Sequence, residues 1–325
     1  MRIHPRLFYS HTLIRLFAAG TFVATSLACD KSSAPKDARI GAILMQQDQF
    51  FRSNEQGMTD RAAELGVSLS AQNAAGALDK EISLIDAFIA RKVSAILVSP
   101  LSSKGSINAL RRAHDAGIKI ITYNNSIDAD FPACRIESDQ TELGASTGRT
   151  ARAYVEKNLG GKARVVLIGF STQLPEQGGA RQRGFRDEIT KLPGVEIIAE
   201  QDAWLAPKAA EIVSELLTKN PDVIWAANEG GTVGSAMAVR NAGKAGTIAV
   251  FGTDVSRQLI EFLLADDGIL VAVTGQKPRE MGATAVDSAV KAVRGEAVEK
   301  SKTLPGELFH RAEPKKLRAY LKTLE

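Results

Sequence analysis

The sequence predicts an α/β protein made of two doubly wound parallel-sheet lobes. Short apolar runs alternate with amphipathic stretches along most of its 325 residues. The runs are rich in Ile and Val and nearly continuous, as parallel strands buried on both faces require. The rhythm restarts near the middle of the chain, which gives two βα series of similar size and hence two lobes.

The first series opens with a strand over 39–45 (RIGAILM) and a helix over 50–65 that Gly66 stops. A strand over 67–71, a helix over 80–91 and a strand over 95–99 (AILVS) follow. Next come a helix over 107–116, ended by Gly117, and a strand over 118–123 (IKIITY). Glycine directly after a periodic stretch is a helix C-cap signal. The second series begins with a helix over 141–159 and a strand over 164–169 (RVVLIG). It continues through helices over 179–191, 209–219, 230–242 and 256–265, with strands over 195–201, 223–226, 247–252 and 270–274 between and after them. A long helix over 278–294 closes it. The charged, amphipathic stretch 305–325 reads as a packed terminal helix.

Composition excludes several classes. At 44% hydrophobic and 24% charged, the chain is neither disordered, collagen-like nor a disulfide-stapled miniprotein. No apolar run reaches the roughly 18 residues of a membrane-spanning helix. The formal charge is +4, but Arg2, Arg6 and Arg15 precede any acid. Without residues 1–28 the balance is 38 basic against 37 acidic, a net of +1, which gives no reason to expect nucleic acid as a partner.

Those first 28 residues carry a basic start, the short apolar stretch LFAAGTFVATSLA and small residues before Cys29, the order of a secretory signal peptide. Ser26-Leu27-Ala28-Cys29 also resembles a bacterial lipobox. Lipidation of Cys29 would leave residues 29–37 as a polar tether and anchor an exported protein at a membrane. Cys134 is then the one remaining thiol; it reads as buried and inert, and no intrachain disulfide forms.

Ligands of doubly wound sheets bind beyond the carboxyl ends of the strands. Amides, carboxylates, arginines and aromatics recur there: Asp48, Phe50 and Phe51; Ser99; Asn124 and Asn125; Arg181; Trp204; Asn228 and Glu229; Asp254; and Gln276. Carboxylates and amides pair with hydroxyls, arginine offers a planar fork of donors, and flat rings cover the C–H face of a sugar. Each also has a structural alternative. Asn228 and Asp254 sit where turn and N-cap residues occur, and Asp254 is placed to cap a helix starting at Ser256. One of the two phenylalanines is expected in the core.

Taken in order, the motifs resemble the periplasmic binding protein type 1 family, in its ribose-binding-like sugar branch. They are DQFFRSNEQG (48–57), the strand ending at Asn124-Asn125, ESDQTELG (137–144), ARQRGF (180–185), Ala227-Asn228-Glu229, Phe251-Gly252-Thr253-Asp254 and Thr274-Gly275-Gln276-Lys277-Pro278. The resemblance implies a three-segment hinge near Ser138-Asp139, Gln276-Lys277 and Leu304-Pro305. It joins an N-terminal lobe of 38–138 plus 277–305 to a C-terminal lobe of 139–276 plus 306–325. It further implies that Phe50 and Phe51 form one wall, Arg181 clamps hydroxyls and Trp204 forms the opposite wall. Asn228, Asp254 and Gln276 bond from the second lobe, and Ser99 and Asn124 from the first. Two departures stand out: Asn124-Asn125 replaces the branch's usual Asp-Arg, and Thr253 replaces a phenylalanine.

The expected function is capture of a small neutral sugar or polyol and its delivery to an ABC permease by a monomer that uses no cofactor or metal. The alternative is the same fold acting as a ligand-loaded sensor for a membrane kinase or chemoreceptor. A DNA-binding regulator is not expected, since a signal peptide stands where its helix-turn-helix would. Nor is an enzyme: no G-x-S-x-G, P-loop or H-E-x-x-H occurs, and His114 and His310 lie apart.

Overall fold

The computed structural model describes residues 38–324. The expected signal peptide, the expected tether and Cys29 lie outside the described residues.

Two six-stranded sheets organise the chain. The first takes β1 (Arg39–Leu44), β2 (Ser68–Asn73), β3 (Ala95–Val98), β4 (Lys119–Tyr123), β5 (Cys134–Ser138) and β11 (Ser301–Leu304), in the order β11-β5-β4-β3-β1-β2. Every pairing in it is parallel. The second takes β6 (Lys162–Gly169), β7 (Gly194–Asp202), β8 (Val223–Ala226), β9 (Ala249–Thr253), β10 (Leu270–Gly275) and β12 (Glu307–His310), in the order β12-β10-β9-β8-β6-β7. Here the edge strand β12 runs antiparallel to β10, so the second sheet is not purely parallel.

Burial follows strand position. β3, β4 after its first residue, β8, β9 and β10 are buried throughout, because helices cover both faces. The edge strands β2 and β7 carry polar and half-exposed residues instead. Each sheet thus has two cores. On the first, α1 (Gln49–Leu65) and α9 (Pro278–Val293) cover one face through Met58, Met281 and Val286. α2 (Leu78–Ala90) and α3 (Ile107–Asp115) cover the other through Ile85, Phe88 and Leu110. On the second, α4 (Gln140–Leu159) and α5 (Pro175–Ile189) bury Val155 and Phe185 on one face. α6 (Ala206–Leu216), α7 (Glu229–Asn241), α8 (Arg257–Leu264) and α10 (Pro314–Lys322) cover the opposite face. Terminal helix α10 buries Leu317 there completely.

The chain passes between the sheets three times: from β5 into α4, from β10 into α9, and from β11 to β12. Local chemistry marks these passages. Asp139 caps α4 by accepting from Glu142 N at 2.8 Å, and Pro278 starts α9, where a missing N–H costs nothing. Two close helix approaches flank them. A Cβ on Gly57 of α1 would lie 2.0 Å from the Arg279 carbonyl of α9, and one on Gly184 of α5 would lie 2.0 Å from the Thr141 carbonyl of α4. Only glycine permits either contact.

Candidate functional site

A cleft of about 650 Å³ opens beyond the carboxyl ends of both sheets. Ten of the eleven residues singled out for ligand contact line it: Asp48, Phe50, Phe51, Asn124, Asn125, Arg181, Trp204, Asn228, Asp254 and Gln276. Ser99 does not. It is fully buried, and its hydroxyl accepts a hydrogen bond of 3.4 Å from Asn124 Nδ2. A strand that ends one residue earlier than the apolar run leaves Ser99 behind the asparagine, supporting it.

From the first sheet, the turn after β1 presents Asp48. Its Oδ1 caps α1 by accepting from Phe51 N at 2.9 Å, and its Oδ2 accepts from Gln46 Nε2. Phe51 is 2% exposed and packs edge-on against Tyr123 in the core. Phe50 meets it at 5.2 Å and is the freer ring of the pair. After β4, Asn124 adopts a left-handed backbone (φ 61°), which asparagine tolerates better than most residues. Asn125 is tied by Nδ2 to the Pro100 carbonyl at 3.2 Å.

From the second sheet, Arg181 on α5 is 3% exposed and fully engaged on one side. Nε donates to Gln140 Oε1 at 2.8 Å; Nη1 donates to the Ala227 carbonyl at 2.9 Å and to both oxygens of Asp254 at 3.1 Å. Its guanidinium lies 5.4 Å from the ring centre of Phe170, which packs edge-on against Trp204 at 5.3 Å. Trp204 is 39% exposed, so an aromatic face lies open to solvent at the cleft. Asn228 has its polar atoms occupied: Oδ1 caps α7 by accepting from Gly231 N, and Nδ2 donates to the Trp204 carbonyl. It positions the wall more than it offers a free donor.

Asp254 is not the cap of α8; Ser256 is, accepting from Leu259 N. Asp254 instead takes a left-handed backbone (φ 73°) and also accepts from Glu229 N at 3.2 Å and Gln276 Nε2 at 3.3 Å. A strained aspartate at a cleft, freed from capping, points to use rather than to turn geometry. Gln276 in turn accepts from Ser138 Oγ at 2.8 Å, which joins the site to two of the three passages.

Among the other lining residues, Phe170, Gln173 and Gln177 were not named from the sequence, and Glu229 was named beside Asn228 but given no ligand role. Gln177 lies four residues before Arg181 on the same helix, so helical spacing placed both on one face. Its Nε2 donates to Asn125 Oδ1 at 3.1 Å, a direct bond from an element of the second sheet to one of the first. Glu229 follows Asn228 and begins α7. Burial pushes its carboxyl above the usual carboxylate range, and the nearby carboxylates of Asp254 and Asp48 push the same way, against a lowering hydrogen bond from Ser256. Cys134 is buried with its thiol pushed up, as an inert structural cysteine. No His, Cys, Asp and Glu grouping fit for a metal exists among the described residues, and none of their helices is long and apolar enough to cross a membrane.

Residues 41–297 match the family model described as a periplasmic binding protein domain. The chain is 30% identical to the ABC transporter periplasmic-binding protein YphF of Escherichia coli K12, over 86% of this chain and 88% of that one. It is 27% identical to the D-allose-binding periplasmic protein of the same organism, over 85% and 90% of the two chains. A solute-binding protein of an ABC transporter from Actinobacillus succinogenes, solved with bound D-allose, superposes with a TM-score of 0.77 at 25% identity, over 86% of this chain and all of that one.

Proposed function

Because the chain belongs to the periplasmic binding protein family, we propose that it captures a sugar or polyol of monosaccharide size in the cleft and hands it to the permease of an ABC transporter. The observation that carries this reading is the cleft itself. An open aromatic wall at Trp204 faces a set of convergent donors and acceptors around Arg181, Asp254 and Gln276. Flat apolar faces beside a few directed polar groups are what a ring with C–H faces and equatorial hydroxyls requires. The allose-binding relative and the allose-bound neighbour support the ligand class.

The mechanism is binding without chemistry. The lobes, 38–138 with 277–305 and 139–276 with 306–325, close about the three passages. A ligand that touches both walls exists fully bonded only in the closed form, so it draws the population there. The Gln177–Asn125 bond is one protein contact that closure makes. Export through the leader, lipidation at Cys29 and action as a monomer complete the proposal. Nothing in the site favours a sensor over a carrier.

Thermal unfolding of the purified protein against pentoses, hexoses and polyols tests it. A ligand that binds only the folded form stabilises by about 4 kcal/mol at a thousandfold excess over Kd. A Tm rise of several degrees with one carbohydrate, absent in Asp254→Ala, is expected. No response to any carbohydrate would sink the reading.

A further inference from the structure

The charge of the cleft narrows its ligand. Asp48, Glu229 and Asp254 line it against a single cation, Arg181, with no other carboxylate, lysine, arginine or histidine of the described residues on its walls. Arg181 is already consumed: its Nη1 sits 3.1 Å from both Asp254 oxygens, and the pair is neutral. Asn124-Asn125 supplies no cation from the first wall. Two negative charges are left, Asp48 at the start of α1 and Glu229 at the start of α7. Each helix start contributes at most about half a positive charge, so the two together offset roughly one of the two. A deficit of about one positive charge remains.

The two carboxylates come from opposite walls. α1 belongs to the first sheet and α7 to the second. Closure around a neutral ligand brings like charges together while it expels water, and their repulsion grows as the local dielectric falls. An ammonium between them reverses the sign: Asp48 and Glu229 receive hydrogen bonds from neutral donors, Phe51 N, Gln46 Nε2 and the Ser256 hydroxyl, and an ammonium adds the positive charge these do not bring.

We propose that the ligand is an amino sugar or amino-polyol of monosaccharide size whose ammonium sits between Asp48 and Glu229. This rests on the carbohydrate reading above and replaces the expectation of a neutral ligand.

The pH dependence separates a charged from a neutral ligand. Glu229 is faced by Asp48 from the turn after β1, by Asp254 from the end of β9 with Arg181 of α5 behind it, and by the hydroxyl of Ser256. Its carboxyl ionises above the ordinary range. Tyr320 of α10, also on the wall, is pushed up to about 12 and stays neutral. As pH rises through the raised ionisation of Glu229, binding of an ammonium ligand strengthens. A neutral sugar that uses protonated Glu229 as a donor weakens over the same range.

The experiment is isothermal titration of the purified protein with aldohexoses, pentoses and cyclitols, each paired with its amino counterpart, D-glucose with D-glucosamine and inositol with aminoinositol among them. The expected result is that the tightest binder is an amino member. Its hydroxyl and N-acetyl counterparts bind at least about tenfold more weakly, and its affinity rises with pH as Glu229 ionises. Glu229→Gln and Asp48→Asn should each narrow that gap about tenfold, and either variant suffices if the other does not fold. A neutral carbohydrate as the tightest binder, or a gap that both variants leave unchanged, overturns the inference while the carbohydrate reading stands. Binding by no carbohydrate of either kind removes both.

Discussion

Replacing Arg181 with alanine tests the wiring of the cleft in one step. The guanidinium is 3% exposed and holds three partners at once: Asp254, the Ala227 carbonyl and Gln140 Oε1. Removing one member of a fully buried ion pair costs about 3–5 kcal/mol, because the other charge is left uncompensated. The Asp254 side chain is 25% exposed, so water screens part of that and about 2 kcal/mol is the better figure. The two stranded acceptors add about 1 kcal/mol in total, since each keeps some access to the space vacated. The sum is about 3 kcal/mol. For a chain of this size, each kcal/mol shifts Tm by about 2 °C, so a fall of about 6 °C is expected by scanning calorimetry. Adding Asp254→Asn should recover about half of the fall, because the uncompensated charge goes with it. A single-variant fall under about 2 °C, or a double variant no better than the single, would refute the assignment of Arg181 and Asp254 as a buried neutral pair.

Glu229→Gln should raise Tm at about pH 8 and leave it unchanged near pH 4, read by scanning calorimetry. The sign follows from the raised carboxyl: the folded state disfavours the ion, a penalty fully present above the folded pKa and absent below the unfolded one. Gly184→Ala should destabilise by at least about 1–3 kcal/mol, measured by urea midpoint, because a new Cβ meets the Thr141 carbonyl at 2.0 Å and drives α5 from α4. Gln177→Ala should expand the unliganded protein in small-angle scattering without changing its Tm by more than about 2 °C, since the one bond it loses is the 3.1 Å contact to Asn125. The chain holds two tryptophans. Trp225 is fully buried and stacked on Phe185 at 4.6 Å, so a fluorescence change on ligand addition should come from Trp204 and vanish in Trp204→Phe.

The strands buried on both faces were legible because burial forces them to be continuous in Ile and Val; β3, β4, β8 and β10 are of this kind. β5, β11 and β12 were not. CRIES, SKTL and ELFH are four or five residues long, mix polar with apolar positions, and are held by partners far away in the chain. Nothing local distinguishes them from loops. In the site, position was legible and role less so. Strand ends identify which residues reach the cleft, as with Asp48, Arg181 and Gln276. They do not say which atoms are already taken: Asn228 spends its amide on a cap and a carbonyl, and Asp254 leaves the cap to Ser256. Glu229 was visible in the motif without a role, because its environment is set by burial in the folded chain and by Asp254 and Asp48, the latter 181 positions away.

The three passages between the sheets also set an order of assembly. The first sheet draws its edge strand from Ser301–Leu304, paired with β5, and one of its covering helices from Pro278–Val293, whose Met281, Ala285 and Val286 fill the core over β3, β4 and β5. No amino-terminal fragment can therefore complete that sheet before about residue 304 is present. The second sheet takes five of its six strands from one continuous stretch, Lys162–Gly275, and needs only a returning edge. Long sequence separation makes a contact slow to form. The half made first thus waits for the half made last, and a chain emerging from synthesis stays threadable until almost all of it exists.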